Sequence, residues 1–238
     1  AVRIRLRSDV KVGCMLSGGL DSTSITSIAY KILNNNIETF SGITGDVEGV
    51  YDETKYIEEV VNDIKAKSNF IHIDPGNIFD VINEMLDFHD EPICTVSWYG
   101  LYLINKEIKN MNVPVILNGH GGDELLGGYW DHYHYNFYDI RDNKDICSSE
   151  INSWLVNHNR SFEEIGKFSE HIDKYVRNNY RNDDKFIDYS SCFNNEFILK
   201  NKKNIDLKPP NSKSLLSKRL YLELMHETVP ASLRAEDR

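Results

Sequence analysis

The sequence Ser17-Gly18-Gly19-Leu20-Asp21-Ser22 lies between a short apolar run, Val12–Leu16, and a segment with helical periodicity, Thr23–Leu33. Because a strand, a glycine turn and a helix start in this order form a cradle for phosphate, the stretch predicts an anion site. The two glycines let the backbone approach an anion closely, and the first N–H groups of the helix face it. Both serines add hydroxyl donors, and Asp21 offers a carboxylate to a magnesium ion.

Two common phosphate motifs do not fit this stretch. The Walker pattern needs a lysine after the last glycine, and the dinucleotide fingerprint needs Gly-x-Gly-x-x-Gly. A tight strand-to-helix turn without a ligand is the plain structural alternative. The order Ser-Gly-Gly-Leu-Asp-Ser resembles the PP-loop of ATP pyrophosphatase domains. The resemblance implies cleavage of ATP between its α- and β-phosphates, with transfer of AMP to a carboxylate or carbonyl oxygen.

Composition and charge limit the class of protein. The chain has 238 residues, of which 40% are apolar, enough for one large domain or a domain with an appendage. Its formal net charge of -10 argues against nucleic acid or an anionic membrane as partner. We expect no signal peptide, and the sequence has no apolar run of the roughly 18 residues that a membrane helix needs. Since Cys14, Cys94, Cys147 and Cys192 form no metal or redox pattern, we expect reduced thiols and a cytoplasmic protein.

Strand and helix signals alternate over the first part of the chain. Apolar runs predict strands at 12–16, 39–43, 70–73 and 113–117, and helical spacing predicts helices at 23–33, 52–65, 78–86 and 101–108. Strands separated by such helices predict parallel β–α–β units with right-handed crossovers. The predicted fold is therefore an α/β parallel sheet flanked by helices. Ligands of such sheets bind beyond the carboxyl ends of the strands.

The character of the sequence changes after about residue 140. Polar and charged residues become dense, and the apolar residues are spaced as in amphipathic helices. Lys200–Lys213 predicts a surface loop, and Leu215–Thr228 predicts a helix. We therefore predict an ATP-binding α/β core over residues 1–140 and a mainly helical extension over 141–238, packed on the core and truncated at its end.

A second glycine-rich stretch, Asn118-Gly119-His120-Gly121-Gly122-Asp123-Glu124-Leu125-Leu126-Gly127-Gly128-Tyr129, follows the fourth predicted strand directly. Two acidic groups near a pyrophosphate need a cation between them, so we predict that Asp123 shares a magnesium ion with Asp21. Such a metal would neutralise charge on the departing pyrophosphate. A flexible loop in which Asp123 is a helix N-cap is the alternative.

Together, the two motifs resemble the synthetase domain of glutamine-dependent asparagine synthetases, a PP-loop family with an adenine nucleotide α-hydrolase-like fold. Shorter likenesses occur at Val2–Val10, Thr39–Ser41, Tyr51–Glu53, Asp90–Pro92 and Val229–Arg238. The resemblance is good over residues 1–140, moderate over the last twenty residues and weak between them.

The resemblance implies a two-step reaction with ATP and Mg²⁺. The side-chain carboxylate of aspartate attacks the α-phosphate of ATP, and ammonia then displaces AMP to give asparagine. By position, the residues that would bind the nucleotide are Leu16, Ser17, Gly18, Gly19, Leu20, Asp21, Ser22, Gly42, Asn118 and Gly119. The residues that would serve catalysis are His120, Asp123 and Glu124, with Asp21 and Asp123 at the metal.

Three departures from the family pattern leave alternatives open. His120 stands where the family usually has Glu or Gln, which alters the local charge and could change the substrate accepted. The glutaminase half with its N-terminal cysteine nucleophile is missing, and the chain stops before the segment that supplies a catalytic lysine in the family. Because the chain also opens on Ala1, we expect a piece of a longer protein that could be inactive alone.

Three functions are therefore carried forward. The first is an asparagine synthetase-like ligase that uses ATP, aspartate and ammonia from a glutaminase domain. The second, motivated by His120, is a related adenylating enzyme with another acceptor, such as a β-lactam- or lasso-peptide-type cyclase or an amidating enzyme of surface-polysaccharide pathways. The third is a nucleotide-binding module without catalysis. Whether the protein is a homodimer stays open.

Two other patterns are not assigned a site. His132 and His134 are two residues apart, so on a helix they diverge, and the sequence shows no third metal ligand beside them. The lysines at 200, 202 and 203 are interpreted as a solvated face.

Overall fold

The computed structural model describes residues 1–33, 37–44, 53–90, 95–163, 165–166, 196, 200 and 210–236. The chain divides into two compact units, Ala1–His120 with Arg234–Arg238 and Gly121–Leu233. The division into residues 1–140 and 141–238 stays a prediction, because a cluster of contacts does not show which segment folds by itself. No helix of the described residues has both the length and the apolar character needed to cross a bilayer.

A parallel sheet of four strands forms the centre of the first unit. The strands are β1 (Val12–Met15), β2 (Glu38–Ile43), β3 (Lys67–His72) and β4 (Val115–Leu117), in the order β3-β2-β1-β4. All three neighbouring pairs are parallel, which confirms the predicted α/β fold. β4 is two residues shorter at its start than predicted, since Pro114 has no N–H for the ladder. Because β1 and β4 are neighbours, both glycine-rich loops leave the same edge of the sheet.

Helices flank the sheet of the first unit. They are α1 (Val2–Arg5), α2 (Leu20–Ile32), α3 (Thr54–Ile64), α4 (Ile78–His89) and α5 (Ser97–Asn110), with a 3-10 turn at Pro75–Asn77. Phe40 and Ile71 pack with Ile104 of α5 in one core cluster. Cys14 and Ala29 of α2 belong to a second cluster. Side chains of adjacent strand residues point to opposite faces, so two clusters form from one sheet.

The described cysteines are free thiols. Cys14 lies fully buried in β1, and burial raises the pKa of its thiol to about 11. Cys147 is also free and half-buried. That the thiols are reduced stays a prediction, and Cys94 and Cys192 lie outside the described residues.

The described part of the second unit is helical, as predicted. Its helices are α6 (Gly122–Leu126), α7 (Trp130–Ile140), α8 (Lys144–His158), α9 (Leu215–Met225) and α10 (Thr228–Glu236), the last of which ends in the first unit. The single helix predicted over 215–228 ends at Met225, and a new helix follows. The ring of Pro230 would clash with the carbonyl group of His226 in a continuous helix but fits the first turn of α10. The predicted loop Lys200–Lys213 lies mostly outside the described residues.

Candidate active site

The loop Ser17–Gly19 joins the end of β1 to the start of α2. Gly18 has a φ of +81°, and a Cβ at this position would lie 2.9 Å from the Cβ of Tyr56. Gly19 is the N-cap of α2 and has no side chain that could accept from the first-turn N–H groups. Those N–H groups and the helix dipole give this end of α2 a partial positive charge.

The two serines of the loop hydrogen-bond to each other and to the loop backbone. The hydroxyl oxygen of Ser22 lies 3.0 Å from that of Ser17 and accepts from the backbone N–H of Ser17 at 3.2 Å. The Ser22 hydroxyl also donates to the carbonyl oxygen of Gly19 at 3.2 Å, and the Gly19 N–H donates to the Ser17 hydroxyl at 3.4 Å. The serines therefore shape the loop here, and their donation to phosphate stays a prediction.

Asp21 occupies the first turn of α2 and is half-buried. Within the described part of the chain its carboxylate has neither a hydrogen bond nor an ion pair. The positive end of the helix stabilises a negative charge at this position. An unpaired carboxylate at a loop edge also has the oxygen chemistry that Mg²⁺ prefers, so Asp21 fits the predicted metal.

The loop after β4 packs against the start of α2. A Cβ at Gly119 would lie 3.0 Å from the backbone nitrogen of Ser22 and 3.3 Å from the Cβ of Asp21. A side chain at this position would require the two loops to shift slightly apart, because its Cβ would be in tight contact with the backbone of α2. The structure thus brings together the first motif and the Asn118–His120 part of the second.

The carboxylate of Glu236, which the sequence analysis did not assign to the site, lies beside Asn118 and His120. The Asn118 side-chain amide donates to Glu236 Oε2 at 2.7 Å, and His120 Nδ1 lies 2.5 Å from Glu236 Oε1. The backbone N–H of His120 donates to the Asn118 side-chain oxygen at 3.2 Å. The only sequence signal for Glu236 is its place in the family-like stretch 229–238, because 118 positions separate it from Asn118.

The other residues assigned to the nucleotide have mixed surroundings. Leu16 is only 1% exposed, and its carbonyl oxygen accepts from the Ser41 hydroxyl at 2.7 Å. The space beside Gly42 that a Cβ would need is filled by Ile73 and Ile104. Leu20 is 82% exposed. Packing alone is a sufficient reason for an apolar residue at 16 and a glycine at 42. Contact of Leu16, Leu20 and Gly42 with adenosine or phosphate stays a prediction.

Asp123 and Glu124 belong to the second unit and differ in burial. Glu124 is 4% exposed, and its Oε1 accepts from the Tyr129 hydroxyl at 2.8 Å. Burial and the adjacent Glu124 carboxylate raise the pKa of Tyr129, so the phenol keeps its proton. The N-cap of α6 is Gly121, so the alternative that Asp123 caps this helix is wrong. A magnesium ion shared by Asp123 and Asp21 stays a prediction.

A buried network of charged residues holds the end of the second glycine-rich stretch. His132 Nδ1 accepts from the backbone N–H groups of Gly128 and Tyr129 at 3.2 and 3.3 Å. Nε2 must therefore carry the proton, which it donates to Glu223 Oε2 at 2.7 Å. The guanidinium of Arg219 lies 2.6 Å from Glu223 Oε1.

Arg219 is the cation of this network. Its guanidinium also lies 2.6 Å from Glu227 and 3.7 Å from Asp131. Burial opposes the charge on Arg219, yet Glu227 and Glu223 raise its pKa above the ordinary value. Asp131, His132 and Glu223 place ligand atoms within 4.8 Å of one another, a group that does not include His134 and that the sequence analysis did not identify. Because Arg219 already supplies positive charge there, we interpret the cluster as an ion-pair network.

Comparisons with known proteins agree with the two motifs. The family model described as asparagine synthase matches residues 1–238. A protein of Methanocaldococcus jannaschii, named as a candidate asparagine synthetase (glutamine-hydrolyzing) 2, is 38% identical over 133 residues, which are 56% of this chain and 25% of the relative. Asparagine synthetase (glutamine-hydrolyzing) 1 of Bacillus subtilis is 33% identical over 54% of this chain and 20% of its own length. The match thus spans a quarter or less of these relatives.

Among solved structures, the chain is similar to the NH3-dependent NAD synthetase from Campylobacter jejuni in complex with the nitrate ion. The superposition covers 74% of this chain and 90% of the synthetase chain. The TM-score is 0.37 and the identity 12%, values too low to support a conclusion about this chain. The family model, by contrast, extends over every residue. The chain therefore belongs to the asparagine synthase family.

Proposed function

We propose that this chain is the ATP-using part of an amide-forming ligase, in which the side-chain carboxylate of aspartate is adenylated and then aminated to asparagine. Membership of the asparagine synthase family supports this class of reaction. The aspartate substrate follows from the names of relatives that the chain matches over a quarter or less of their length. It therefore needs its own test.

The observation that carries the proposal is the meeting of two glycine loops at one edge of the sheet. Gly119 packs on the first turn of α2, where N–H groups, the helix dipole and the unpaired carboxylate of Asp21 lie together. The N–H groups would bind the α- and β-phosphates, and Asn118 with Gly119 would border the adenosine. Such chemistry needs mostly placement of reactants and stabilisation of charge.

Magnesium fits this proposal through Asp21, with Asp123 as the second predicted ligand. When bound, the ion would neutralise charge on the departing pyrophosphate. The chain's own contribution is to hold Asp21 at the start of α2. The loop serines, already bonded to each other, fix the backbone around it.

The direct test is pyrophosphate exchange into ATP by the full-length protein. We expect exchange that requires both aspartate and Mg²⁺, and AMP release that requires a nitrogen donor in addition. Exchange with no carboxylate dependence, or no nucleotide binding in calorimetry, would contradict the proposed function.

A second candidate is an adenylating enzyme of the same family with another acceptor. His120 favours it, because the family usually has Glu or Gln there, and an imidazole changes the charge beside the acceptor. A panel of carboxylates and amines separates the two. AMP release with aspartate and ammonia supports the first candidate, and release only with another pair supports the second.

A further inference from the structure

We infer that His132 is a positioning residue for Asp123 and Glu124, the two carboxylates of α6. The inference rests on the proposed function, because His132 would hold Asp123 in the orientation that the predicted magnesium ion needs. His132 acts through the backbone of Gly128 and Tyr129. All of these residues lie in the second unit.

The acidic residues of α6 rest on the segment that follows the helix. A Cβ at Gly128 would coincide with Oδ1 of Asp123, so this carboxylate lies directly against the backbone of Gly128. Glu124 Oε1 accepts from the Tyr129 hydroxyl at 2.8 Å. The orientation of both carboxylates therefore depends on where the backbone of residues 128 and 129 is held.

A single imidazole nitrogen holds that backbone. The N–H groups of Gly128 and Tyr129 both donate to Nδ1 of His132, at 3.2 and 3.3 Å. His132 is 2% exposed, so water cannot easily take the place of this acceptor. Because a partly buried N–H group without an acceptor is unfavourable, loss of Nδ1 would move the segment, and the carboxylates would move with it.

The second nitrogen of the ring explains why residue 132 is a histidine. A helix such as α7, with its N-cap at Tyr129, commonly has Glu or Gln three residues later to accept from the N-cap N–H. A glutamate at 132 would face the buried carboxylate of Glu223, and the two negative charges would repel. The imidazole instead donates from Nε2 to Glu223 Oε2 at 2.7 Å. Glu223, which also pairs with Arg219, thereby keeps the proton on Nε2 and the lone pair on Nδ1.

Two substitutions separate positioning from mere stabilisation of the unit. In His132→Asn the side-chain oxygen can take the place of Nδ1 and accept from the loop, but the side chain no longer reaches Glu223. In His132→Gln the side-chain NH2 group can take the place of Nε2 and donate to Glu223, but the two loop N–H groups lose their acceptor. Each variant breaks one side of the imidazole's contacts, and urea unfolding checks that each is folded.

The test compares metal binding by these two variants of the full-length protein. The probe is Mn²⁺ in the presence of a non-hydrolysable ATP analogue, with free Mn²⁺ measured by electron paramagnetic resonance. We expect the dissociation constant of Mn²⁺ to rise roughly 10- to 100-fold in His132→Gln and by less than about 3-fold in His132→Asn. His158→Gln, at the exposed end of α8, is the matched control and should leave the constant unchanged.

Two further measurements support the assignment. In pyrophosphate exchange, the activation constant for Mg²⁺ should rise in His132→Gln, while the rate at saturating Mg²⁺ stays within about 3-fold of that of the unmodified protein. The tautomer of His132 can be measured without any ligand. In protein labelled with ¹⁵N-histidine, Nδ1 of His132 should have the chemical shift of an unprotonated nitrogen and Nε2 that of a protonated one.

Gly128→Ala tests the contact with Asp123 directly. It leaves the imidazole and its partners in place and displaces only the carboxylate of Asp123, so Mn²⁺ binding should weaken as it does in His132→Gln. Unchanged binding in Gly128→Ala would overturn the inference, even if His132→Gln did not fold. Equal weakening in His132→Asn and His132→Gln, or a proton on Nδ1 of His132, would overturn it as well. Absence of both Mn²⁺ binding and exchange in the unmodified protein would instead refute the proposed function.

Discussion

Two carboxylates, Asp21 in the first unit and Glu223 in the second, occupy opposite environments. Asp21 stands at the positive end of α2, half-buried and without an ion pair among the described residues. Glu223 is 2% exposed, and its two oxygens are bound by His132 and Arg219. The carboxylate of Asp21 is therefore accessible to solvent and unpaired. The buried carboxylate of Glu223 is instead paired with side chains of the same unit.

The difference teaches which acidic residues are available for a ligand. Burying a carboxylate costs several kcal/mol of hydration free energy, which hydrogen-bonding and ionic partners must offset. The interactions of Glu223 therefore stabilise the fold, and its oxygens are not available to a ligand. A carboxylate at a helix N-terminus beside water keeps its hydration and can exchange it for a cation. Loss of Asp21 should therefore affect activity, whereas loss of Glu223 should affect stability.

The largest expected effect is that of Asp21→Ala on pyrophosphate exchange. We expect a loss of about 1000-fold, comparable to removal of one electrostatic stabiliser of a transition state. The free energy of unfolding should change by less than about 1 kcal/mol, since only the interaction with the helix dipole is removed. Asp63→Ala, at an exposed residue of α3, is the matched control. Unchanged exchange would remove Asp21 from the site.

The next effect is on stability. Glu223→Ala leaves the buried Nε2–H of His132 without an acceptor and removes the most buried of the three carboxylates around Arg219, so we expect a loss of about 3–5 kcal/mol in the free energy of unfolding. Urea titration followed by circular dichroism measures it. Glu150→Ala, at an exposed position of α8, should change stability by less than about 0.5 kcal/mol. A loss below about 1 kcal/mol in Glu223→Ala would contradict the conclusion that Glu223 stabilises the fold.

Tyr129→Phe tests the neighbouring carboxylate. The substitution removes the hydroxyl that donates to buried Glu124, and an unsatisfied buried acceptor costs about 1–3 kcal/mol. Thermal and chemical denaturation should both show the loss. If the free energy of unfolding is unchanged but pyrophosphate exchange falls, Glu124 serves activity, as proposed for Asp21, and not stability, as proposed for Glu223.

The smallest effect concerns an exposed pair in the first unit, Lys67 and Glu38, at 2.9 Å. Lys67 is 70% exposed, so Lys67→Met should cost only about 0.2–1 kcal/mol. The hydrogen bond from Lys67 lowers the pKa of Glu38, so this contribution is present above the ordinary carboxyl pKa and is lost as pH falls through the lowered value. Unfolding at several pH values measures it. An effect as large as that of Glu223→Ala would mean that pairing, not burial, sets stability.

Much of the fold and part of the site could be predicted from local sequence. The hexapeptide at 17–22 predicted a strand, a turn and a helix, because glycines and hydrophobic periodicity act within a few residues. The alternation of strands and helices predicted a parallel sheet, which placed both glycine loops at strand carboxyl ends. Asp21 is found at the helix start that its motif implies.

Tertiary structure alone decided which distant residues meet. Glu236 reaches His120 and Asn118 across nearly half of the chain, and Glu223 reaches His132 over 91 positions. No local pattern carries such contacts, because they depend on the path of the chain between the partners. Acidic residues therefore differ in what surrounds them: Asp21 has no ion pair among the described residues, whereas Glu223 is buried between His132 and Arg219.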